Sequence, residues 1–386
     1  MFNQLFILMK TINVACNFFI GLGFTSMLLM SCGGDPKEPS TAHKVDSALT
    51  EIKDSIVGMT NGDKPDWAPA IDSDMWEVIQ KMESYNDKPI TELTPSKARK
   101  NHTPTDAVND LIQEKHIEVP VPKVDTTGKN IAVKGGKIHL RIYTPQEGKA
   151  PYPVIVYYHG GGFVIADLEV YDASAKALSE QAEAIVVSVA YRLAPEHKFP
   201  VAHEDAYAAY QWVIKNAASI KGDPQHVAVA GESAGGNLAL NVSIKARDQK
   251  FTLPVYQVLV YPVANSDMES ESYKKYAQAK PLNKDMMKWF VKYYLKDTTQ
   301  AADKRISLVN ADLKGLPSTA IITAEIDPLQ SEGSMLADKL KAAGVEVDRK
   351  NYDGVTHEFF GMAAIVSEAK DAQAYAAKQL KQAFEK

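Results

Sequence analysis

The chain has 386 residues, 45% of them hydrophobic and 24% charged, with 22 Gly and 20 Pro, the composition of an ordinary globular enzyme of one large domain or two modest ones. Its formal charge of −5 supplies no basic stripe to neutralise a phosphate backbone, which argues against nucleic acid as a partner and for a small neutral or apolar molecule. The two cysteines, Cys16 and Cys32, both lie near the N-terminus, so the body of the protein is expected to hold no disulfide and to depend on its core.

An apolar stretch over residues 18–30 follows Lys10. It is too short to span a bilayer comfortably and sits where the central region of an export signal belongs. Met9-Lys10 reads as a more natural start than Met1. Leu29-Met30-Ser31-Cys32 resembles the lipobox of bacterial lipoproteins, which implies a signal peptide over 1–31, a lipid on Cys32 and a membrane-anchored place in the bacterial cell envelope. A plain secretory signal with an incidental cysteine is the alternative. Lipid chains hold a protein at a membrane through their methylene groups, without a spanning helix. Residues 32–64, rich in Pro, Ser, Thr, Asp and Lys, read as a flexible tether, leaving 65–386 as the folded domain.

Residues 67–85 and 95–115 carry apolar side chains at helical spacing, as in Met75, Val78, Ile79 and Met82 or Val108, Leu111 and Ile112, and are expected to be helices. The period then changes to two, first at Ile117-Glu118-Val119 and then at Ile138, Leu140 and Ile142 against His139 and Arg141, the pattern of a half-buried strand. Short apolar runs follow at 154–158, 185–189, 227–230, 255–261 and 320–323, with helical stretches such as 202–217 and 234–245 between them. Strands buried on both faces and alternating with helices predict a mostly parallel sheet covered on both sides. A last strand is expected over 345–352. Between Tyr261 and Thr319 lies more chain than a crossover requires, with Met286, Trp289, Phe290, Tyr293, Tyr294 and Leu295 at helical spacing. We read it as a lid packed on the N-terminal helices, giving a cap from about 65–115 and 265–315.

Gly231-Glu232-Ser233-Ala234-Gly235-Gly236 lies between the run 227–230 and the helix that begins at Ala234. A tight strand-to-helix turn lifts a serine oxygen above a sheet, and small neighbours permit the strained backbone this needs. The helix N-terminus adds partial positive charge that favours a developing anion. Standing alone, the motif would be a glycine-rich turn. It is accompanied by His159-Gly160-Gly161-Gly162 directly after 154–158, where consecutive glycines leave N–H groups free to converge on an oxyanion. A flexible loop or phosphate-binding turn is the alternative, but no clear Gly-Lys-Ser/Thr ending or Gly-x-Gly-x-x-Gly spacing accompanies it.

Together with Tyr191-Arg192-Leu193-Ala194-Pro195-Glu196-His197, Asp327-Pro328-Leu329 and His357, in that order, these blocks resemble the bacterial hormone-sensitive-lipase-like, or family IV, esterases from Trp67 to the C-terminus. The resemblance implies an α/β-hydrolase fold and a serine carboxylic ester hydrolase that needs no cofactor. Its triad would be Ser233, Asp327 and His357, in the chain order of that fold. Its oxyanion hole would be the N–H groups of Gly161, Gly162 and Ala234, with His159, Gly160, Gly231 and Gly235 supporting the motifs. Glu325 is the nearest rival acid, and the Asp-Pro-Leu block decides for Asp327. His159 is expected to brace its loop rather than take protons, and the 191–196 block to form an internal ion-pair brace.

The remaining histidines, His43, His102, His116, His139, His197, His203 and His226, make no spaced cluster, so no metal is predicted. Three positions depart from the family pattern. Glu232 stands where Asp is commonest and is expected to keep the charge, while Ala166 and Glu358 stand where Gly is usual. The expected partner is a small-molecule ester with a short- to medium-chain acyl group, because a packed lid limits pocket depth. A deacetylase of acylated carbohydrates or xenobiotics, and a non-catalytic ligand-binding protein on the same fold, are the alternatives. Homo-oligomerisation stays open.

Overall fold

The computed structural model describes residues 64–386. The expected signal peptide, the lipidation site Cys32 and all but the end of the expected tether lie outside the described residues. The N-terminal part contains α1 (Ser73–Ser84), α2 (Pro95–Ala98) and α3 (Pro104–Glu114). The stretch read as one helix over 95–115 is therefore two. Arg99 closes the first and Thr103 caps the second: the Thr103 side chain accepts Asp106 N–H while Asp106 reaches back to Thr103 N–H, a reciprocal cap with Pro104 opening the new helix.

A hairpin follows, β1 (Val124–Val133) with β2 (Gly136–Pro145). β1 is a correction to the sequence reading, which placed period-two character at Ile117-Glu118-Val119; those residues are not in a strand. β1 is mostly exposed and carries Thr, Gly, Lys and Asn, so an edge strand held by backbone pairing left no apolar alternation to read.

The chain then winds through β3 (Tyr152–Tyr158), α4 (Asp172–Ala182), β4 (Ile185–Ala190), α5 (Val201–Asn216), β5 (Gly222–Glu232), α6 (Ala234–Asp248) and β6 (Gln257–Val260). The crossover region holds α7 (Glu271–Lys275) and α8 (Lys284–Tyr294), and β7 (Thr319–Ile326), α9 (Gln330–Ala342), β8 (Val347–Thr356) and α10 (Ser367–Phe384) complete it. The eight strands form one sheet in the order β1-β2-β4-β3-β5-β6-β7-β8, parallel from β4 through β8. Several strand bounds differ from expectation. β6 is shorter than 255–261, and β8 runs four residues beyond 352, so it delivers its end directly at His357.

Alternate residues of each central strand enter opposite cores, as the pleat requires. Val154, Val156 and Tyr158 of β3 belong to the core that includes α5, α6 and α9, whereas Ile155 and Tyr157 belong to the core that includes α1, α4 and α10. The N-terminal segment and α8 are tied down by three contacts. Trp289 Nε1 donates to Leu93 O at 3.1 Å, joining α8 to the segment before α2. Asp72 N–H donates to Gly354 O at 2.8 Å, and Thr356 Oγ1 to Met75 Sδ at 3.6 Å, joining the N-terminal segment to the end of β8. Among the described residues no helix is long and apolar enough to cross a membrane.

Candidate active site

Buried apolar β5 carries the chain to Glu232, and α6 begins at Ala234. Ser233 between them has φ 55 and ψ −117, a conformation costly for a side-chain-bearing residue. Packing enforces it. A Cβ at Gly235 would lie 1.9 Å from Tyr158 O, so only glycine lets α6 start this close to β3, and Gly231 sits against the same turn. The Ser233 carbonyl accepts Val263 N–H at 3.1 Å and its N–H donates to Val260 O at 2.9 Å.

The turn presents Ser233 Oγ 3.0 Å from His357 Nε2, and His357 Nδ1 lies 2.7 Å from Asp327 Oδ2. The second Asp327 oxygen accepts Leu329 N–H at 2.8 Å. Asp327 follows β7 and His357 follows β8, so neighbouring parallel strands bring both to the edge where Ser233 emerges. All three are buried. The Asp327 carboxylate accepts a hydrogen bond from Nδ1–H and leaves Nε2 as acceptor for the serine hydroxyl. Burial, the largest influence, pushes His357 down, yet the Asp327 charge and hydrogen bond, with Glu358 and Glu232, leave its pKa raised. Glu325, the rival acid, is turned away: its Oε2 accepts Gly354 N–H at 3.0 Å.

His159, Gly160, Gly161 and Gly162 form the loop leaving β3 beside this turn. Gly161 has φ 91, and a Cβ there would lie 2.2 Å from Ile165 O, so the loop closes on itself only with glycine. No acceptor among the described residues takes the N–H of Gly161 or Gly162, and Ala234 N–H, first in α6, has no intrahelical partner. His159 is buried and stacked on Tyr191 with centroids 4.3 Å apart. Burial lowers its pKa to about 4, so it stays neutral and bonds its own loop, Nδ1 to Gly160 O at 2.8 Å.

The 191–196 block is a brace. Tyr191 Oη donates to His159 O and Gly160 O at 2.9 and 3.1 Å, and Arg192 pairs with buried Asp205 at 2.7 Å. Arg99, which the sequence gave no reason to select, pairs with Glu196 at 2.7 Å and donates to Val164 O and Ala194 O.

The backbone accounts for the family's usual glycine at two of the three departures, and burial shapes the third. Ala166 and Glu358 adopt φ 65 and 71, conformations that glycine enters freely. Glu232 accepts the hydroxyls of Tyr157 and Tyr261. Burial raises its pKa to about 7 against the pull of those hydrogen bonds. Burial thus works against the charge that Glu232 is expected to keep. Glu358 accepts Tyr171 Oη–H at 2.6 and 2.7 Å. Tyr171 was invisible in the sequence because only a contact across 187 positions reveals it.

An apolar cavity of about 180 Å³ opens at Gly162 and is lined by Phe163, Val263, Met287, Phe290 and Ile306 among others. A larger one of about 450 Å³ lies among Gln225, His226, Tyr256 and Ser318, at the opposite ends of the strands from Ser233 and away from the chemistry. The first shares Gly162 with the glycine loop beside Ser233.

The family profile described as the alpha/beta hydrolase fold matches residues 155–361. A carboxylesterase of Mycobacterium tuberculosis, NlhH, is 40% identical over 252 residues, 64% of this chain and 79% of its own. An ethyl acetate hydrolase of Pseudomonas putida is 31% identical over 64% of this chain and 79% of its own. The solved esterase of Pyrobaculum calidifontis superposes with TM-score 0.71 at 36% identity, covering 78% of this chain and 97% of that one. A thermostable esterase from Pseudomonas putida ECU1011 gives TM-score 0.75 at 32% identity, over 82% and 98%. With the sheet order and the strand-end placement of Ser233, Asp327 and His357, these matches lead to one conclusion: the chain belongs to the hormone-sensitive-lipase-like, family IV esterases of the α/β-hydrolase superfamily.

Proposed function

We propose that the protein hydrolyses carboxylic esters through an acyl-enzyme on Ser233, and that its substrates carry short to medium acyl chains. The observation that carries the reading is the continuous buried contact from Ser233 Oγ to His357 Nε2 at 3.0 Å and from His357 Nδ1 to Asp327 at 2.7 Å. His357 takes the Ser233 proton as Oγ bonds to the ester carbonyl carbon. The oxyanion is held by the N–H groups of Gly161, Gly162 and Ala234. Collapse breaks the carbon–oxygen bond to the alcohol, whose oxygen takes the proton from Nε2. Water then repeats the sequence on the acyl group and frees Ser233, while Asp327 keeps the imidazole oriented.

The chain-length reading is supported by the cavity of about 180 Å³ beside Gly162. Each buried methylene adds about 0.8 kcal/mol until such a space is filled, and longer chains must displace α8. The names of relatives, an ethyl acetate hydrolase and an arylesterase of Saccharolobus solfataricus, agree with small esters. The test is kcat/KM over aryl esters from acetate to palmitate, with Ser233→Ala as control. A maximum near butyrate or hexanoate, abolished by Ser233→Ala with an unchanged circular dichroism spectrum, is expected. A steady rise to palmitate overturns the chain-length reading, and near-wild-type turnover of Ser233→Ala overturns the triad. For location we propose a lipid anchor at Cys32, supported by the lipobox-like Leu29-Met30-Ser31-Cys32.

A further inference from the structure

Position 358 carries a glutamate where the backbone has φ 71, a region that side-chain-bearing residues enter only at a cost. The side chain held there points at the reacting groups. Glu358 Oε1 lies 3.9 Å from His357 Nε2, the same nitrogen that faces Ser233 Oγ. A carboxylate has about four acceptor positions, yet among the described residues a single hydroxyl, Tyr171 Oη, supplies its hydrogen bonding. The side chain is 18% exposed, so the carboxylate is largely withdrawn from water while keeping acceptor capacity.

On the triad reading given above, we propose that Glu358 is a positioning residue for the proton on His357, a second carboxylate that stabilises the imidazolium at Nε2 while Asp327 holds Nδ1. The proton leaves Ser233 Oγ as the serine–carbonyl bond forms, resides on Nε2 beside Glu358, and passes to the departing alcohol oxygen as the ester bond breaks. The charged and titratable groups around the pair divide the work. Asp327, after β7, bonds Nδ1. Glu232, at the end of β5, is engaged by Tyr157 and Tyr261, and Tyr261 also places its ring 4.5 Å from the imidazole. Tyr171, before α4, anchors Glu358. Among the described residues, Glu358 is the one carboxylate with a close approach to Nε2. Burial raises Glu358 toward its neutral form while the charge on His357 pulls it back, so the carboxylate gains most when the imidazole is protonated, which is the state the mechanism must stabilise.

The test is the pH profile of kcat/KM for a neutral aryl ester in wild type and Glu358→Gln. Removing the carboxylate makes His357 a weaker base, so its acid limb moves to lower pH, by about half a unit or more. The plateau kcat falls about threefold or more, because a less stabilised imidazolium forms less readily. Glu358→Gly relieves the φ 71 backbone and removes the same charge, so it gives the same shift even where Gln is poorly tolerated. The downfield proton resonance of the His357 Nδ1–H, titrated by NMR, reads the imidazole directly and separates it from Glu232. Acid limbs of wild type and both variants superimposing within about 0.2 unit, with an unmoved His357 titration, overturn the proposal. Ser233→Ala in parallel keeps the two readings apart: turnover in that variant sinks the triad, whereas its inactivity with unmoved Glu358 profiles sinks only this inference.

Discussion

Asp327 holds His357 with one oxygen, at 2.7 Å from Nδ1, and Leu329 N–H with the other, at 2.8 Å. The backbone bond fixes the carboxylate, and the carboxylate fixes which ring nitrogen carries a proton. An amide cannot reproduce this, since its NH₂ group facing Nδ1 favours the wrong tautomer. Asp327→Asn should lower kcat by about 10⁴, the cost seen when a triad acid becomes an amide in another serine hydrolase, while Glu325→Gln retains most activity because Glu325 serves only Gly354 N–H. Steady-state kinetics on the two purified variants check this, and the reverse ranking would assign the acid to Glu325.

Glu232 gives a stability prediction. Its pKa rises from 4.5 to about 7 in the folded protein, chiefly through burial. Between those values the native state keeps a proton that the unfolded chain releases, so the native state binds more protons and stability falls as pH rises. The contribution is fully present below about pH 4.5 and is lost as pH passes through about 7. It is on the order of 3 kcal/mol. Thermal midpoints recorded from pH 5 to 8 should decline less steeply in Glu232→Gln than in wild type; parallel curves would refute the assignment.

Arg99 ties the N-terminal cap to the loops around the oxyanion glycines. Its pairing with Glu196 is partly exposed and is worth little alone, but Arg99→Ala also strips donors from Val164 O and Ala194 O. A loss of about 1–3 kcal/mol is expected, accompanied by a fall in kcat larger than any rise in KM. Urea denaturation and kinetics measure the two effects, and a fully active variant would confine Arg99 to stability.

Cys32→Ser should leave esterase activity intact and move the protein out of the membrane fraction or block its processing. Fractionation followed by activity assay decides it. Unchanged membrane association and processing would remove lipidation as the tether.

The reacting groups were legible in the sequence because each is announced locally. Ser233 sits among glycines that a sharp turn demands, Asp327 stands in an Asp-Pro-Leu block after an apolar run, and His357 follows the expected last strand. The surroundings of those groups were not legible. β1 is polar and exposed, so no alternation marked it. Arg99 and Tyr171 gain their roles from partners far along the chain. The raised pKa of Glu232 comes from burial, and the two tyrosines that oppose it converge on the carboxyl only after β3, β5 and β6 have paired.

That pairing carries a kinetic consequence. Ser233 and His357 are 124 positions apart, and Tyr171 and Glu358 are 187 apart, joined through parallel strands that close large loops before any contact rewards them. Helices such as α6 and α10 form from neighbours in sequence, so during refolding the far-ultraviolet signal should recover well before hydrolysis does. Return of activity then clocks the final docking of β8 onto β7, and the interval between the two signals is when unpaired strand edges are open to other chains.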